Sequence, residues 1–558
     1  MSMNGAQITV RSLEEAGVNT IFGLPGGTVI PLYDALYDSN IQHILVRHEQ
    51  AAAHAADAFS RAGNKTGVCM ATSGPGATNL VTGIATACQD SSPMVAITGQ
   101  VGTRAIGTDA FQEAHILGIT LPVVKHSMQV RHPDEIPHAI AGAFHIASTG
   151  RPGPVLVDIP VDVQKSQGQF SWPTQLNFPG YHPEAEEDLS NVDKAISLIR
   201  SAARPVILAG NGVIVANAAP ELMALASELE IPVATSLLGK GAFPESHSLS
   251  LGMVGMHGRP VANRAMGLAD LIIVIGARFS DRSTGRKDRF ASQARVIHLD
   301  LDPAEIDKSV GADVWLLGNA SKLMDTLRLA VRGTQCVNHR EWLAELAMMN
   351  DREPLQRDIS HTEIKPWHIM SALYDATGGE ALVTTEVGQH QMWAALYYKS
   401  DHARRFITSG GLGTMGFGFP AAMGAHFARP DLPVFCIAGD GSFMMNIQEL
   451  DTCARYQIPV KILLLDNGCL GMVRQWQEMF FDQRYSNTLY GRQPDFVKMA
   501  ESMGVSAFSV SSPKEVRKAM ERALATPGPV LVHLPIPQSE KVLPITPAGA
   551  PLDEMILA

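Results

Sequence analysis

"VFCIAGDGSFMMNIQELDTCARYQIPVKILLLDNGCLGMVRQWQ" runs from Val434 to Gln477. An apolar strand ends in Gly439-Asp440-Gly441-Ser442, a helix follows, and a second apolar strand ends in Asp466-Asn467-Gly468. Both strands are continuous apolar runs, the pattern of a parallel sheet covered by helices on two faces. In such a βαβ unit Asp440 and Asn467 come to the carboxyl ends of consecutive strands, where open α/β sheets bind ligands. Both offer oxygen, which a hard ion such as Mg²⁺ prefers. Gly439 and Gly441 let the backbone approach closely, and Ser442 opens a helix whose free amides favour an anion. Either acidic or amide turn alone reads as a turn. Together, at matching strand ends, they read as a site for a diphosphate bridged to Mg²⁺.

The same alternation of apolar runs and helical stretches fills the chain, with "TIFGL", "GVCMATS", "MVAITG", "PVLVDIP", "PVILAG", "LIIVIGA" and "GPVLVHL" among the strands. The fold class is α/β, with doubly wound parallel sheets. A chain of 558 residues exceeds one core and divides into three domains. Polar, Pro- and Gly-bearing sequence from Gln164 to Glu187, and a charged stretch from Arg332 to Pro366, separate units over 1–163, 188–332 and 366–540. Residues 541–558 form a Pro-rich tail expected to lie on another surface.

A net charge of -11 without basic clusters excludes nucleic-acid binding through phosphate neutralisation. The cysteines at 69, 88, 336, 436, 453 and 469 form no CxxC pair and read as free thiols in a reducing compartment. No signal peptide or membrane-length apolar run is seen, so the expectation is a soluble, cytoplasmic protein without a membrane partner.

A second stretch, "ILVRHEQAAAHAADAFSRA" from Ile44 to Ala62, puts Glu49 between a buried strand and an alanine-rich helix. A carboxylate there is costly unless it is paired or used. Locally it could pair with Arg47 or serve as a helix N-terminal acid. A third, "SGGLGTMGFGFP", contains G-x-G-x-x-G from Gly411 to Gly416 and raises a rival reading, a nicotinamide dehydrogenase. Against it, only "RRFITS" precedes the motif, and the candidate ribose acid is embedded in GDGS.

GDGS followed by a strand-end Asn resembles the signature of thiamine-diphosphate enzymes, and "LVRHEQ" resembles their catalytic-glutamate segment. Further runs narrow the resemblance: "FGLPGG", "ATSGPGATN", "IGTDAFQE", "GRPGPVLVDIP", "GMHG", "GARFSDRSTG", "TTEVGQHQMWAA" and "GMVRQWQ". Over nearly its whole length the chain resembles the catalytic subunits of the acetohydroxyacid synthase (acetolactate synthase) family.

That resemblance implies a pyrimidine-binding domain first, a central domain holding a structural FAD, and a diphosphate-binding domain last. It implies small 2-oxoacid substrates: pyruvate is decarboxylated, and its two-carbon unit joins a second pyruvate or 2-oxobutyrate in branched-chain amino-acid synthesis. Asp440, Asn467 and the carbonyl of Cys469 are the implied Mg²⁺ ligands. Val387, Gly388, Gln389, His390, Gly413, Met415 and Met472 are implied to line the thiamine diphosphate, with Gly439, Gly441 and Ser442 at its diphosphate. Glu49 is the implied acid at the pyrimidine N1′, with Gly27, Phe111 and Gln112 lining the reaction pocket. Val473, Trp476 and Arg282 face the second 2-oxoacid. Arg151, His257, Gly276, Arg278, Asp300 and Asn319 fall at flavin positions.

The chain departs from the family pattern at Val161, where Lys is usual, at Ser280 and Asn319, where Asp is usual, at Asn211, where Gly is usual, and at Asp466, where Asn is commoner and which is expected to lie outside the metal contact. Glyoxylate carboligase lacks the glutamate after "RH"; pyruvate oxidase and sulfoacetaldehyde acetyltransferase lack the combined "IGTDAFQE" and "GMVRQWQ". One cofactor must touch both Glu49 and Asp440, and the family places these on different chains. The expectation is therefore a homodimer or dimer of dimers, with the alanine helix at a subunit interface. A small regulatory subunit is a further family expectation.

Overall fold

Three six-stranded sheets, each entirely parallel, form the frame of the computed structural model. It describes residues 3–183, 187–332, 336–357, 360 and 362–557. Parts of both expected connecting stretches and both chain ends lie outside the described residues.

The first sheet runs, in space, Gln42–Leu45, Thr20–Leu24, Gly67–Ala71, Met94–Gln100, Pro154–Pro160 and His126–Gln129. The last runs Phe406–Ile407, Leu382–Thr385, Val434–Gly439, Lys461–Asp466, Val530–Pro535 and Ser506–Ser509. Counted along the chain, both have the same order: second, first, third, fourth, sixth, fifth. The central sheet differs. Its order is Ser250–Met253, Val233–Thr235, Pro205–Ala209, Leu271–Ile275, Arg295–Asp300 and Val314–Leu317, which is third, second, first, fourth, fifth, sixth. That is the order of dinucleotide-binding sheets, whose ligand lies where the winding reverses, here between Pro205–Ala209 and Leu271–Ile275.

The apolar runs are continuous because helices cover both faces: Leu271–Ile275, Met94–Gln100 and Val434–Gly439 are buried throughout. Each fully buried Val, Leu or Ile in them contributes about 1.5–3 kcal/mol.

The alanine helix, Glu49–Gly63, packs on the helix Gly418–Ala428 of the last unit in the same chain. The approach is so close that a Cβ on Gly424 would collide with the carbonyl oxygen of Ala55. This corrects the expectation of a subunit interface: the small side chains admit an intrachain neighbour. Arg404 links all three units, donating to Arg61 O and Asn64 Oδ1 in the first and to Ile214 O and Asn217 Oδ1 in the second. The tail lies on the central unit, with Thr546 N donating to Met256 O at 2.7 Å and Leu552 in that unit's core. Among the described residues no helix is long and apolar enough to cross a membrane.

Candidate active site

Asp440 ends the turn after Val434–Gly439 and opens the short helix Asp440–Phe443. Burial, and the Asp466 carboxylate beside it, push its carboxyl up to about 7. Asp466 goes the other way: although burial opposes ionisation, hydrogen bonds led by His533 Nε2 at 2.9 Å hold it below the usual range. The Gln493 amide bridges the two, donating to Asp440 Oδ2 and to Asp466 Oδ1. Asp466 is therefore a neighbour of Asp440. The segment that carries Gln493 also lays the Tyr490 hydroxyl against Gly441, where a Cβ would collide with it.

Asn467 donates Nδ2 to Gln389 Oε1 at 3.0 Å, which orients its own carbonyl oxygen away from Gln389. Gln389 is fixed in turn by donating to Gln475 Oε1 and Glu540 O, both at 2.9 Å. Gln389 is buried, and its visible task is to hold Asn467. Cys469, one turn on, pairs with Leu489 in an isolated antiparallel bridge, and burial pushes its thiol up to about 12. Among the described residues no group of three or more His, Cys, Asp or Glu could hold a metal ion unaided. A site with one carboxylate, one amide oxygen and a backbone carbonyl suits Mg²⁺ that completes its shell with diphosphate oxygens.

Two features fit the diphosphate and thiamine ring. The His390 ring lies against Gly439 and Gly388, so that a Cβ on Gly388 would stand 2.8 Å from it. Burial pushes its pKa down to about 3, and its neutral Nε2 has no partner among the described residues. Gly413 has φ +70° and open space where a Cβ would point, a backbone a side chain would strain.

Sequence reading missed Glu386. It is completely buried at the end of Leu382–Thr385 and accepts from Ser442 Oγ at 2.6 Å, Gly416 N at 2.8 Å and Phe419 N at 2.9 Å. It thus locks the GDGS turn to the glycine loop, and burial raises its pKa. The available signal was an acid ending an apolar strand in "LVTTE", the same signal that marked Asp440. Asp90 holds the other end of the glycine loop, accepting from Gly410 N at 3.1 Å and Gly411 N at 2.6 Å. The loop is therefore pinned between domains and follows only a two-residue strand, Phe406–Ile407, which removes the dinucleotide reading of G-x-G-x-x-G.

A cavity of about 980 Å³ runs from this region to the central sheet. Val387, Gly388, Gly413, Met415, Met472, Val473 and Trp476 line one end. Arg151, His257, Gly276, Arg278, Asp300 and Asn319 line the other, and Arg282 also reaches it. The far end sits at the reversal of the central sheet. There Gly212 and Gly276 face backbone to backbone: a Cβ on Gly212 would be 2.6 Å from Gly276 Cα.

The departures at this end keep their local work. Ser280 caps the helix Asp281–Thr284 by accepting from Arg282 N, and Asn319 caps Ala320–Val331 by accepting from Ser321 N. Ser and Asn cap as well as Asp does. Asn211 turns its amide to Asp90 O at 3.0 Å. Arg151 is held by Glu305 at 2.6 Å and Asp302 at 3.1 Å, and Arg282 is exposed beside Asp281 at 3.6 Å.

Glu49, Gly27, Phe111 and Gln112 are not part of that cavity wall. They gather at the carboxyl end of the first sheet. Glu49 is the first residue of its helix and is buried; Asn79 Nδ2 donates to Oε2 at 2.9 Å, and the backbone at Gly76 faces Oε1. Arg47 pairs with Asp451 instead, so the local salt-bridge reading of Glu49 falls. Gln112 has φ +60°, and its backbone abuts Gly74; Phe111 is 87% exposed.

The fold and these two clusters match three family models: "Thiamine pyrophosphate enzyme, N-terminal TPP binding domain" over residues 3–119, the central domain over 192–327, and the "C-terminal TPP binding domain" over 386–534. The chain is 48% identical to a probable acetolactate synthase large subunit of Methanocaldococcus jannaschii, covering 99% of this chain and 95% of that one. It is 47% identical to the acetolactate synthase isozyme 2 large subunit of Escherichia coli, covering 99% of both chains. With the acetolactate synthase large subunit of Corynebacterium glutamicum the identity is 47%, over 98% of this chain and 89% of that one. The chain belongs to the thiamine pyrophosphate enzymes and, within them, to the acetolactate synthase large-subunit family.

Proposed function

We propose that the chain is a carboligase that decarboxylates pyruvate and joins the two-carbon unit to a second 2-oxoacid, pyruvate or 2-oxobutyrate. The observation that carries this reading is a pairing. A strand-end cradle at Asp440 and Asn467 suits a metal diphosphate, and a buried carboxyl at Glu49 meets an amide, Asn79, not a cation. Thiamine diphosphate, when bound, would supply both a carbon acid, which once deprotonated adds to the 2-oxoacid carbonyl, and a cationic ring that takes up the electron pair freed as CO₂ leaves.

The chain's residues do the rest. Asp440, Asn467 and the Cys469 carbonyl would hold Mg²⁺, with the diphosphate at the backbone of Gly439, Gly441 and Ser442. Glu49 holds a proton at the pyrimidine, with Asn79 fixing its second oxygen; acid–base help of this kind contributes about 10²–10⁴-fold. Met415 would support the ring, Gly27, Phe111 and Gln112 would border the reacting atoms, and Val473, Trp476 and Arg282 would meet the incoming 2-oxoacid. The far end of the cavity suits FAD in a structural role. It lies at the reversal of the central sheet, where dinucleotides bind in sheets of this order, and Arg151, His257, Arg278, Asp300 and Asn319 line it.

The family places this acid and the metal cradle on different chains, and a site completed by Glu49 of a second copy agrees with Glu49 standing outside that cavity wall. Exposed apolar side chains at both clusters support a homodimer: Phe111 on one, Leu412 and Met445 on the other. The relatives are named large subunits, which supports a smaller partner subunit. The direct test is incubation with pyruvate, Mg²⁺ and thiamine diphosphate, with and without FAD. Acetolactate should form; decarboxylation without carboligation, or no turnover, contradicts the reading.

A further inference from the structure

The edge strand Gln42–Leu45 leads directly into Glu49, and a helix from the last unit covers its open side. That helix, Glu449–Tyr456, begins a few residues after the Asp440 turn. It presents its polar side chains to the backbone of the first unit. Tyr456 Oη accepts from Leu45 N at 3.0 Å. Arg47 pairs with Asp451 at the rim. The centre of the contact is Glu449, which is completely buried. Its Oε1 accepts from Arg47 N at 3.0 Å and His48 N at 3.1 Å, and its Oε2 accepts from Thr452 Oγ1 at 2.7 Å. The two amides belong to the residues immediately before Glu49, where the chain turns from strand to helix, with His48 as the cap. Among the described residues no neighbouring strand satisfies them; one carboxyl from another domain does.

We propose that Glu449 is a positioning residue for Glu49. It fixes the entry of the Glu49 helix across the domain boundary and so sets where the Glu49 carboxyl stands. The inference rests on the proposed role of Glu49 as the acid at the pyrimidine. Two arguments make it more than packing. A buried carboxyl is costly unless its oxygens are used, and an apolar side chain could fill the same space without that cost. Two amides on one oxygen also fix the backbone at an angle, as apolar contact does not. The helix that carries Glu449 follows the metal-binding turn of its own chain. In a dimer that shares sites between chains, it therefore holds the segment that leads into the acid of the other site.

The test compares Glu449→Ala, Glu449→Gln and Glu49→Gln in the full chain loaded with Mg²⁺ and thiamine diphosphate. Proton exchange at the cofactor C2 is read by quenched-flow NMR, beside cofactor affinity by fluorescence titration. Glu449→Ala should slow exchange at least about tenfold while cofactor affinity stays within about twofold. Glu449→Gln, which keeps an oxygen for both amides, should restore exchange to near the unsubstituted rate. If Glu449→Ala does not fold, Glu449→Asp retracts the acceptor by one carbon and should slow exchange with unchanged affinity.

Exchange unaffected in Glu449→Ala or Glu449→Asp, with Glu49→Gln slow, overturns the positioning role alone. So does an equal loss of exchange and affinity in every Glu449 variant. Exchange unaffected in Glu49→Gln overturns the reading of Glu49, and the inference with it.

Discussion

Asn467 and Gln389 face each other across the cradle, Nδ2 to Oε1 at 3.0 Å, so the orientation of the proposed metal ligand is set by a residue that touches no metal. Gln389→Leu removes the acceptor and frees the Asn467 amide to turn. Loss of such an outer partner typically costs about 10–100-fold in metal affinity. Mg²⁺ titration of thiamine diphosphate binding should show a weakening in that range, alongside a stability loss of about 1–3 kcal/mol from the buried acceptors left unpaired. An unchanged Mg²⁺ requirement would remove Gln389 from the site's support.

The Gln493 amide sits between Asp440 and Asp466 and occupies Asp440 Oδ2, an oxygen for which a metal ion at Asp440 would compete. Gln493→Ala removes that competitor. Stopped-flow mixing of the cofactor-free protein with Mg²⁺ and thiamine diphosphate should show faster capture. A slower rate would mean that Gln493 recruits the metal.

Glu449 predicts a pH effect on stability. Burial is the largest influence on it and raises its pKa to about 7, against the opposing pull of Thr452, the Arg47 and His48 amides and the Arg47 charge. The folded chain thus holds a proton that the unfolded chain has released above the usual carboxyl range near 4.5. This group's contribution is greatest below that range and declines as pH rises towards 7, by up to about 1.4 kcal/mol per pH unit. Glu449→Gln lacks the decline. Melting curves between pH 5 and 8 should show the variant gaining on the unsubstituted protein as pH rises. A constant difference would refute the assignment.

Gly424 has no room for a side chain, because Ala55 O lies where its Cβ would be. Gly424→Ala must push the helix Gly418–Ala428 off the Glu49 helix, and overpacking of this kind costs about 1–3 kcal/mol. Urea unfolding should show that loss, with C2 exchange falling alongside it as the Glu49 helix shifts.

Trp476 lines the cavity beside Met472 and stacks edge-on to Phe480 at 5.7 Å. If it meets the extra methyl of 2-oxobutyrate, Trp476→Leu should lower the yield of aceto-hydroxybutyrate relative to acetolactate from mixed substrates by about tenfold, the scale of one methylene in an apolar pocket. An unchanged product ratio would place the second substrate elsewhere.

The parallel sheets were legible in the sequence because burial on both faces leaves a continuous apolar signature, as in "LIIVIGA". Asp440 was legible because a polar residue ending such a run breaks the pattern. Glu386 breaks it in the same way, but its partners are the amides of Gly416 and Phe419, distant along the chain, and no local spacing announces them. The closeness of Asp466 to Asp440 follows from the consecutive strands that carry them, but its links to Gln493 and His533 join residues distant along the chain and have no local signal. The alanine run advertised close helix packing; which helix it met depended on Gly424, a residue without a pattern of its own.

The most direct test of the shared site mixes two inactive variants, Glu49→Gln and Asp440→Ala, under conditions that exchange subunits. Each mixed dimer would carry one intact site, Glu49 from one chain and Asp440 from the other. With random pairing, about one quarter of the unsubstituted activity should return on the two-fold arrangement. Mixed dimers that form, bind cofactor and remain inactive would contradict it and place Glu49 and Asp440 in the same chain's site.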